Sequence, residues 1–297
     1  MDQPHAPPIP VTALPGANAP AKRKIALSRV QETLLMPLCA RATQTRRRLG
    51  ILNDPKAVEI VEALDYDFSK FKNSPQTQVG CVLRTLQFDV WVKDFLARHP
   101  SATVVEVGAG LNSRFERTDN GQARYFELDL PEAMAVRKQF YQETERRTQI
   151  TGSVLDDAWI APVKATGGPY VIIIEGVLMY LSEVDVRGLF AKIARELPGA
   201  FVGFDSLSLR GISTQHRLAA MRHFDATFHW GIDEARQIES WGEGFVCLDS
   251  VNLRQVAIRN RHVIPVLLQL VAAAAMTTIR RSAVNDYWMS LFRLGPA

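Results

Sequence analysis

Hydrophobic residues between positions 25 and 99 recur at the spacing of α-helices. Leu34, Leu35 and Leu38 follow Val30 on one face of a predicted first helix. The dipeptide Asp54-Pro55 marks the start of a second helix. A third helix is predicted from about residue 78 to residue 99. This part of the chain is therefore predicted to be helical throughout.

The hydrophobic pattern changes at Thr103, where short apolar runs begin to alternate with helical patterns. The run at 170–174 is apolar at every position, which is typical of a central parallel strand covered on both faces. Strands that alternate with helices predict βαβ units in a Rossmann-like α/β sheet. The predicted strands are Thr103–Val107, Ala123–Leu128, a third before Thr151, Tyr170–Ile174 and Ala200–Phe204, with late edge candidates at Phe245–Leu248 and Tyr287–Phe292.

Composition narrows the class of protein. Residues 1–24 are rich in proline and predict a disordered tail without a secretory signal. The apolar run at 263–276 is too short to span a bilayer and predicts a buried helix, so no membrane partner is expected. Three widely spaced cysteines argue against a disulfide framework and favour a reducing, cytoplasmic location. A net charge of only +4 with scattered arginines and lysines does not indicate nucleic-acid binding.

A glycine-containing motif follows the first strand. Gly108 and Gly110 allow a tight turn and a close approach of the backbone to a ligand. A dinucleotide site would have a third glycine at the position of Ser113. Glu106, on the strand itself, disfavours a pyrophosphate and suits the cationic amino and sulfonium groups of S-adenosylmethionine. A strand–turn–helix corner without a ligand is the alternative.

Acidic residues follow the second and fourth strands, and a polar loop follows the third. Glu127 or Asp129 is placed to bind ribose hydroxyls, and the sequence does not separate the two. Asp129 could instead cap a helix with Glu132 as its capping-box partner. The loop at 151–157 could hold an adenine or simply cap the next helix. Glu175 and Tyr180 lie beyond the strongest strand, where open α/β sheets bind ligands.

These motifs together resemble the leucine carboxyl methyltransferase family, and within it the bacterial tetracenomycin-type polyketide O-methyltransferases. The likeness covers about residues 28–250. The segments that carry it are Val105–Arg114, Tyr125–Pro131 with Arg137, Ser153–Trp159, Glu175–Leu181, Leu197–Ala200 with Phe204-Asp205, and upstream Leu83–Thr85 with Asp89 and the stretch from Arg41 to Asp54-Pro55.

The resemblance implies a class I methyltransferase fold: a mostly parallel α/β sheet with an antiparallel late strand, a helical N-terminal lid over 25–100 and a catalytic domain over 101–297. It implies S-adenosylmethionine as the cofactor. The roles of the matching residues in the family imply that Arg84 pairs with the methionine carboxylate and Gly108 lies against the ligand. They also imply that Asp129 holds the ribose and Glu175 approaches the amino group. The wider set of cofactor-binding candidates is Arg84, Glu106, Gly108, Gly110, Glu127, Asp129, Ser153, Val154, Leu155, Asp156, Glu175 and Tyr180.

Two positions depart from the family pattern. Asn112 stands where many relatives carry aspartate, and Val154 stands where the leucine-carboxyl branch has an aspartate near adenine. The second departure argues against a protein-phosphatase substrate and makes Asp156 the candidate for the adenine amine. The acceptor is then expected to be a small molecule.

A substrate-cap insertion is predicted at about 208–241, where aromatic residues, arginines and histidines are concentrated. Candidates for a catalytic base are Tyr180, His216 and His223, although a carboxylate acceptor would need none. No spacing suggests a metal site. The alternatives are a nicotinamide-dependent oxidoreductase and a catalytically silent cofactor-binding module. The sequence gives no indication of oligomeric state.

Overall fold

A computed structural model describes residues 22–25, 27–28, 31–71, 75–217, 227–260 and 286–296. The strands are β1 Thr103–Val107, β2 Arg124–Asp129, β3 Arg147–Thr151, β4 Tyr170–Ile174, β5 Ala200–Leu207, β6 Val246–Asn252 and β7 Tyr287–Leu294. The helices are α1 Leu35–Thr45, α2 Pro55–Ala63, α3 Pro75–Arg98, α4 Arg114–Thr118, α5 Pro131–Arg137, α6 Ile160–Lys164, α7 Glu183–Glu196, α8 Leu209–Ser213 and α9 Leu253–Arg259.

The strands form one seven-stranded sheet in the order β3-β2-β1-β4-β5-β7-β6. Strands β1 to β5 are parallel, whereas β7 is antiparallel to both β5 and β6. This arrangement confirms the predicted Rossmann-like class I methyltransferase sheet with an antiparallel late strand. The last strand in the sequence lies inside the sheet, so β6 alone occupies the edge predicted for both late strands.

Alignment of the central strands sets the position of a ligand site. Val107 at the end of β1 pairs with Leu128 of β2 on one side and with Ile174 of β4 on the other. The loops that follow these three strands therefore leave the sheet side by side. Ligands in open α/β sheets bind at this edge.

Two helical layers cover the sheet. One face packs with α6 and α7, and its apolar residues include Trp159, Phe190 and Ile193. The other face packs with α3 and α9, where Phe88 and Trp91 contact the strands' apolar side chains. Helix α3 belongs to the segment predicted as a lid, yet it is part of the layer that buries the sheet.

Helices α1 and α2 form their own apolar cluster with residues of and after α5. Leu35, Leu38 and Ile60 are fully buried there, together with Val136 and Phe140. The side chain of Asp54 accepts a hydrogen bond from the amide of residue 57, as expected for the N-cap of a helix that starts with proline. This cluster attaches the N-terminal helices to the β2 side of the sheet.

Local sequence signals explain the boundaries of two further helices. Ser182 and Asp185 form the capping box that begins α7. The alternative of a capping box between Asp129 and Glu132 is wrong. Leu130 is the N-cap of α5, and the carboxylate of Glu132 instead accepts from the amide of Ser28. Pro131, at the first helical position, has no N–H group that needs an acceptor. Asp129 Oδ1 accepts from the amide of Leu130 at 2.7 Å.

Several predictions fall outside the described residues. The tail at 1–21, Val30, His223 and the apolar run at 263–276 are among them. Within the described part of the chain, no helix is both long and apolar enough to cross a bilayer. Cys39, Cys81 and Cys247 are free thiols.

Candidate active site

The turn after β1 depends on two glycines in the left-handed region. Gly108 has φ 66° and Gly110 has φ 46°. The amides of Gly108 and Ala109 both donate to the carbonyl of Leu128, at 2.8 and 3.1 Å. These bonds join the carboxyl ends of β1 and β2 and hold the glycine turn at the ligand-binding edge of the sheet.

Side chains from two other elements cover the glycine turn. A Cβ atom at Gly108 would lie 2.3 Å from Cγ2 of Val177, in the loop after β4. A Cβ atom at Gly110 would lie 3.4 Å from Cβ of Leu34, at the start of the N-terminal helices. The backbone of the turn therefore faces a narrow space between these two covers.

We expect Gly108→Ala to destabilise the protein through two separable effects. The φ angle costs about 1–2 kcal/mol for a residue with a Cβ atom, and overpacking against Val177 adds about 1–3 kcal/mol. The double variant G108A/V177A removes the contact and should recover only the second part. Urea unfolding of the two variants and of V177A alone measures both terms. Strictly additive losses from G108A and V177A in the double variant would contradict the steric explanation.

The two carboxylates at the end of β2 have different partners. Glu127 is fully buried and accepts from Arg137 Nε at 2.9 Å and Arg147 Nη2 at 2.7 Å. Burial alone would raise the pKa of Glu127, but the two guanidiniums outweigh it and hold the pKa below the ordinary value. Asp129 instead accepts from the amide of Gly110 at 2.6 Å. Asp129 therefore lies at the rim of the glycine turn, whereas Glu127 is enclosed by the core.

The loop after β3 is closed by its own polar side chains. Asp156 Oδ2 accepts from the amide of Ser153 at 3.0 Å, and Ser153 Oγ accepts from the amide of Leu155 at 3.2 Å. Val154 is buried, and its carbonyl accepts from the indole of Trp159 at 3.0 Å. Leu155 remains 38% exposed. The loop combines a fixed backbone with one free apolar side chain.

Arg84 lies at the centre of an anionic cluster formed by three strand ends. Its Nε donates to Glu175 Oε1 at 2.8 Å, and its Nη1 donates to Asp205 Oδ2 at 3.0 Å and to the hydroxyl of Tyr287 at 2.7 Å. Tyr287 in turn donates to Asp205, and the amide of Gly176 donates to Asp205 Oδ1 at 2.7 Å. Among the described residues, none of these bonds uses Nη2, which leaves that nitrogen as a donor for a further carboxylate.

The two carboxylates that hold Arg84 differ in their electrostatics. Burial alone would raise the pKa of Glu175, but Arg84 and Arg114 outweigh it and hold the pKa at about 2. Burial raises the pKa of Asp205, and Arg84 offsets this only in part. Glu175 is therefore the firmly ionised member of the pair.

A continuous chain of ion pairs connects this cluster to the N-terminal helices. In the part of the chain that the structure describes, it joins four guanidiniums to five carboxylates, so these carboxylates are in excess by one. The members are Arg41, Arg84, Arg114 and Arg117 with Asp54, Asp89, Glu106, Glu175 and Asp205. A buried network with excess negative charge favours a ligand that carries positive charge.

Glu106, itself a member of this network, shows the same preference in its own contacts. It is 2% exposed, and its Oε1 accepts from Asn112 at 2.6 Å and from Arg114 Nε at 3.2 Å. Its Oε2 is buried without a hydrogen-bond partner among the described residues. Burial raises the pKa of Glu106 despite the guanidinium of Arg114. A nearby cation would compensate this carboxylate.

The candidate bases lie in different environments. Tyr180 packs edge-on against Phe228, with ring centroids 5.2 Å apart, and burial raises the pKa of its hydroxyl. His216 is exposed, and His223 lies outside the described residues. Trp230, in the predicted substrate cap, is buried in the main core against Phe204. The aromatic residues of this segment therefore divide between the core and the surroundings of Tyr180.

Sequence reasoning did not identify Asp205, Tyr287 or Arg114 as members of the site. Asp205 follows an apolar run in the same way that Glu175 does, so its place at a strand end was a usable signal. No local pattern connects Tyr287 with Arg84, because 203 positions separate them and only the insertion of β7 beside β5 brings them together.

The site therefore combines a sharp backbone turn, an acidic rim and a guanidinium with one free side. The turn and Asp129 suit a ribose, Glu175 and Glu106 suit an ammonium or sulfonium, and Arg84 suits a carboxylate. A ligand that carries all these groups in sequence is an amino-acid nucleoside.

Comparisons with known proteins agree with this chemistry. Residues 34–194 match the family model for leucine carboxyl methyltransferase. The chain is 32% identical over 217 residues to "Tetracenomycin polyketide synthesis O-methyltransferase TcmP" of Streptomyces glaucescens, covering 73% of this chain and 80% of that protein. It is 27% identical over 241 residues to "S-adenosyl-L-methionine-dependent methyltransferase dpfgK" of Gibberella zeae, covering 74% and 80%.

A solved structure shares the fold. A protein from Thermobifida fusca YX, provisionally assigned as a methyltransferase, superposes with a TM-score of 0.56 at 16% identity, covering 92% of this chain and 96% of that one. At this level of identity the likeness concerns the arrangement of strands and helices alone.

Proposed function

Because this chain belongs to the leucine carboxyl methyltransferase family, we propose that it methylates an oxygen atom of a small, aromatic or polyketide-like metabolite. It is an S-adenosylmethionine-dependent methyltransferase, and the family resemblance drawn from its motifs is confirmed. The nicotinamide-dependent oxidoreductase is set aside. The observation that carries the proposal is the anionic cluster around Arg84 beside the glycine turn.

The residues present fit S-adenosylmethionine. The unpartnered oxygen of Glu106 and the excess carboxylate of the ion-pair network both favour its net positive charge. We propose that Arg84 Nη2 binds the methionine carboxylate and that Glu175 binds the amino group. Asp129 would hold the ribose. Glu127 is paired with Arg137 and Arg147, so its role is to stabilise the fold.

The remaining candidates would surround the nucleoside. Leu155 offers an exposed apolar surface to the adenine, and Asp156 would meet its amine through the oxygen that does not close the loop. Gly108 and Gly110 would lie against the ligand backbone. Ser153 and Val154 shape the loop, and Tyr180 borders the cofactor on the acceptor side.

The bound cofactor supplies a methyl group on a sulfonium, which is an electrophile that needs alignment with the acceptor. The chain's own residues provide that alignment through the fixed turn, the acidic rim and the Arg84 cluster. Positioning of this kind contributes about 7–11 kcal/mol to lowering a barrier. The rigid, multiply bonded setting of Arg84 suits such a role.

A carboxylate is the acceptor that we favour. It is ionised near neutral pH and needs no base, and the family model is described for carboxyl methylation. A hydroxyl is the second candidate. Tyr287 and Asp205 already share a hydrogen bond beside Arg84, so a proton taken by Tyr287 could pass to Asp205. The two acceptors give products of different stability in alkali.

We expect labelled-methyl transfer from S-adenosylmethionine to aromatic acids, with release of the label as methanol when the product is heated in alkali. A matched panel of phenols without carboxyl groups is the control, since aryl ethers keep the label. Label that stays on the product in alkali would show that the acceptor is a hydroxyl and not a carboxylate. Calorimetry with S-adenosylhomocysteine accompanies the assay, and binding without transfer to any acceptor would favour a silent binding module.

The division into a lid and a catalytic domain also remains part of the proposal. Helices α1 and α2 pack together and would form the lid over the glycine turn, to which Leu34 already extends. The segment after β5 would form the substrate cap around Tyr180 and Phe228. Three free cysteines agree with a reducing compartment, and we propose a cytoplasmic location.

A further inference from the structure

Arg114, which no role in methyl transfer has yet used, holds carboxylates from three elements. It is fully buried. Its Nε donates to Glu106 of β1 at 3.2 Å, its Nη1 to Asp89 of α3 at 2.5 Å and its Nη2 to Glu175 after β4 at 2.5 Å. The planar guanidinium thus fixes these carboxylates relative to one another.

The two oxygens of Glu175 are held from opposite sides. Oε1 accepts from Arg84 Nε at 2.8 Å and from the hydroxyl of Thr85 at 3.3 Å. Oε2 accepts from Arg114 Nη2 at 2.5 Å and from the side-chain Nδ2 of Asn112 at 3.4 Å. Arg84 faces the ligand side, so Arg114 supplies the support from within the protein.

We propose that Arg114 is a positioning residue for the cofactor, which fixes Glu175 in its charged form to receive the amino group. This inference depends on the proposed function, because it assigns Glu175 to that group. Arg117 provides the contrast. It lies in the same helix and pairs with Asp89 and Asp54 at 2.6 and 3.0 Å, but it is not paired with Glu175.

The charge on Glu175 follows from several groups around it. From α3 come Arg84 and Cys81, from α4 Arg114, from α1 Arg41, from β1 Glu106, from β5 Asp205 and from β7 Tyr287. Burial raises the pKa of Glu175, and the arginines lower it to about 2. When Arg114 is lost, less positive charge remains to oppose the effect of burial. The pKa of Glu175 then rises toward or above the ordinary value of ~4.3.

The sign of the resulting pH effect is fixed. In the wild type, Glu175 is ionised at every pH well above 2, so it adds no pH dependence between pH 4.5 and 7.5. In a variant with a raised pKa, Glu175 takes up a proton as the pH falls, and the amino group loses its counter-charge. Cofactor binding should then weaken on the acid side only.

Arg114→Lys tests this inference by calorimetric titration with S-adenosylhomocysteine at pH 4.5, 6.0 and 7.5. A lysine keeps one positive charge but cannot contact three carboxylates at once. We expect its Kd to rise roughly twofold or more from pH 7.5 to 4.5, beyond any change in the wild type. The matched control, Arg117→Lys, leaves the ion pairs of Glu175 in place and should show the pH dependence of the wild type, whatever its affinity at pH 7.5. Thermal unfolding of both variants measures their loss of stability separately.

A second variant covers the case in which R114K does not fold. The double variant Arg114→Gln/Glu106→Gln removes one charge of each sign. We expect its binding of S-adenosylhomocysteine to weaken at acid pH in the same way. The inference would be overturned if the Kd of R114K, R117K and the wild type changed with pH in the same way. It would also be overturned if neither Arg114 variant folded, because Arg114 would then serve the stability of the core. A wild type that does not bind S-adenosylhomocysteine at any pH would instead overturn the proposed function.

Discussion

Arg84→Ala should weaken binding of S-adenosylhomocysteine by at least about a hundredfold, because it removes the proposed anchor of the amino-acid carboxylate. It also leaves Glu175 and Asp205 buried without their shared cation. Loss of one partner from a buried ion pair costs about 3–5 kcal/mol of stability. The affinity is measured by calorimetry below the unfolding temperature of the variant, with circular dichroism as the check that it is folded.

Two further variants separate the anchor from the fold. Arg84→Lys keeps the charge but not the planar fork, and we expect it to fold and still lose at least about tenfold in affinity. Arg98→Ala lies at the exposed end of the same helix and should bind like the wild type. Wild-type affinity in R84K would show that the fork does not recognise the cofactor.

Arg137→Ala should also produce a large loss of stability, about 3–5 kcal/mol in the free energy of unfolding. Arg137 is fully buried, and its Nη1 donates to the carbonyls of Ala109, Gly110 and Asn112 at 3.2, 2.9 and 2.8 Å. Its Nε donates to Glu127. The substitution leaves three carbonyls of the glycine turn without this donor and takes one of two guanidiniums from a buried carboxylate.

Urea unfolding at pH 7 measures this loss, with Arg146→Ala as the control. Arg146 pairs with Asp119 near the surface, with a side chain 33% exposed, and such pairs contribute about 1 kcal/mol or less. Similar losses in the two variants would mean that the contacts of Arg137 with the turn add nothing. A larger loss in R137A, together with weaker cofactor binding by the folded protein, is the expected result.

The order of strands and helices was accessible from the sequence because its signals are local. The apolar run of β4 and the glycine turn after β1 each lie within a few residues and report on backbone geometry directly. Ser182 and Asp185 likewise predicted where α7 begins. The functional positions at strand ends followed, since parallel strands place their loops at one edge.

The partners of the buried charges were not accessible, because they depend on contacts between distant parts of the chain. Glu127 and Asp129 are equivalent in the sequence, and only Arg137 and Arg147 distinguish them in the structure. The packing of α3 against the sheet could not be predicted either. Its helical pattern is clear, but the periodicity does not say that Phe88 packs against the sheet.

The insertion of β7 between β5 and β6 has a consequence for synthesis on the ribosome. Tyr287 is the first residue of that strand and contacts Arg84, so the central cluster stays incomplete until residue 287 has left the exit tunnel. Until then, β5 has an unpaired edge, which is a known hazard for association between nascent chains. Ribosome-stalled chains that end at residue 285 or at residue 296, each followed by a linker long enough to fill the exit tunnel, should differ sharply in their resistance to proteases.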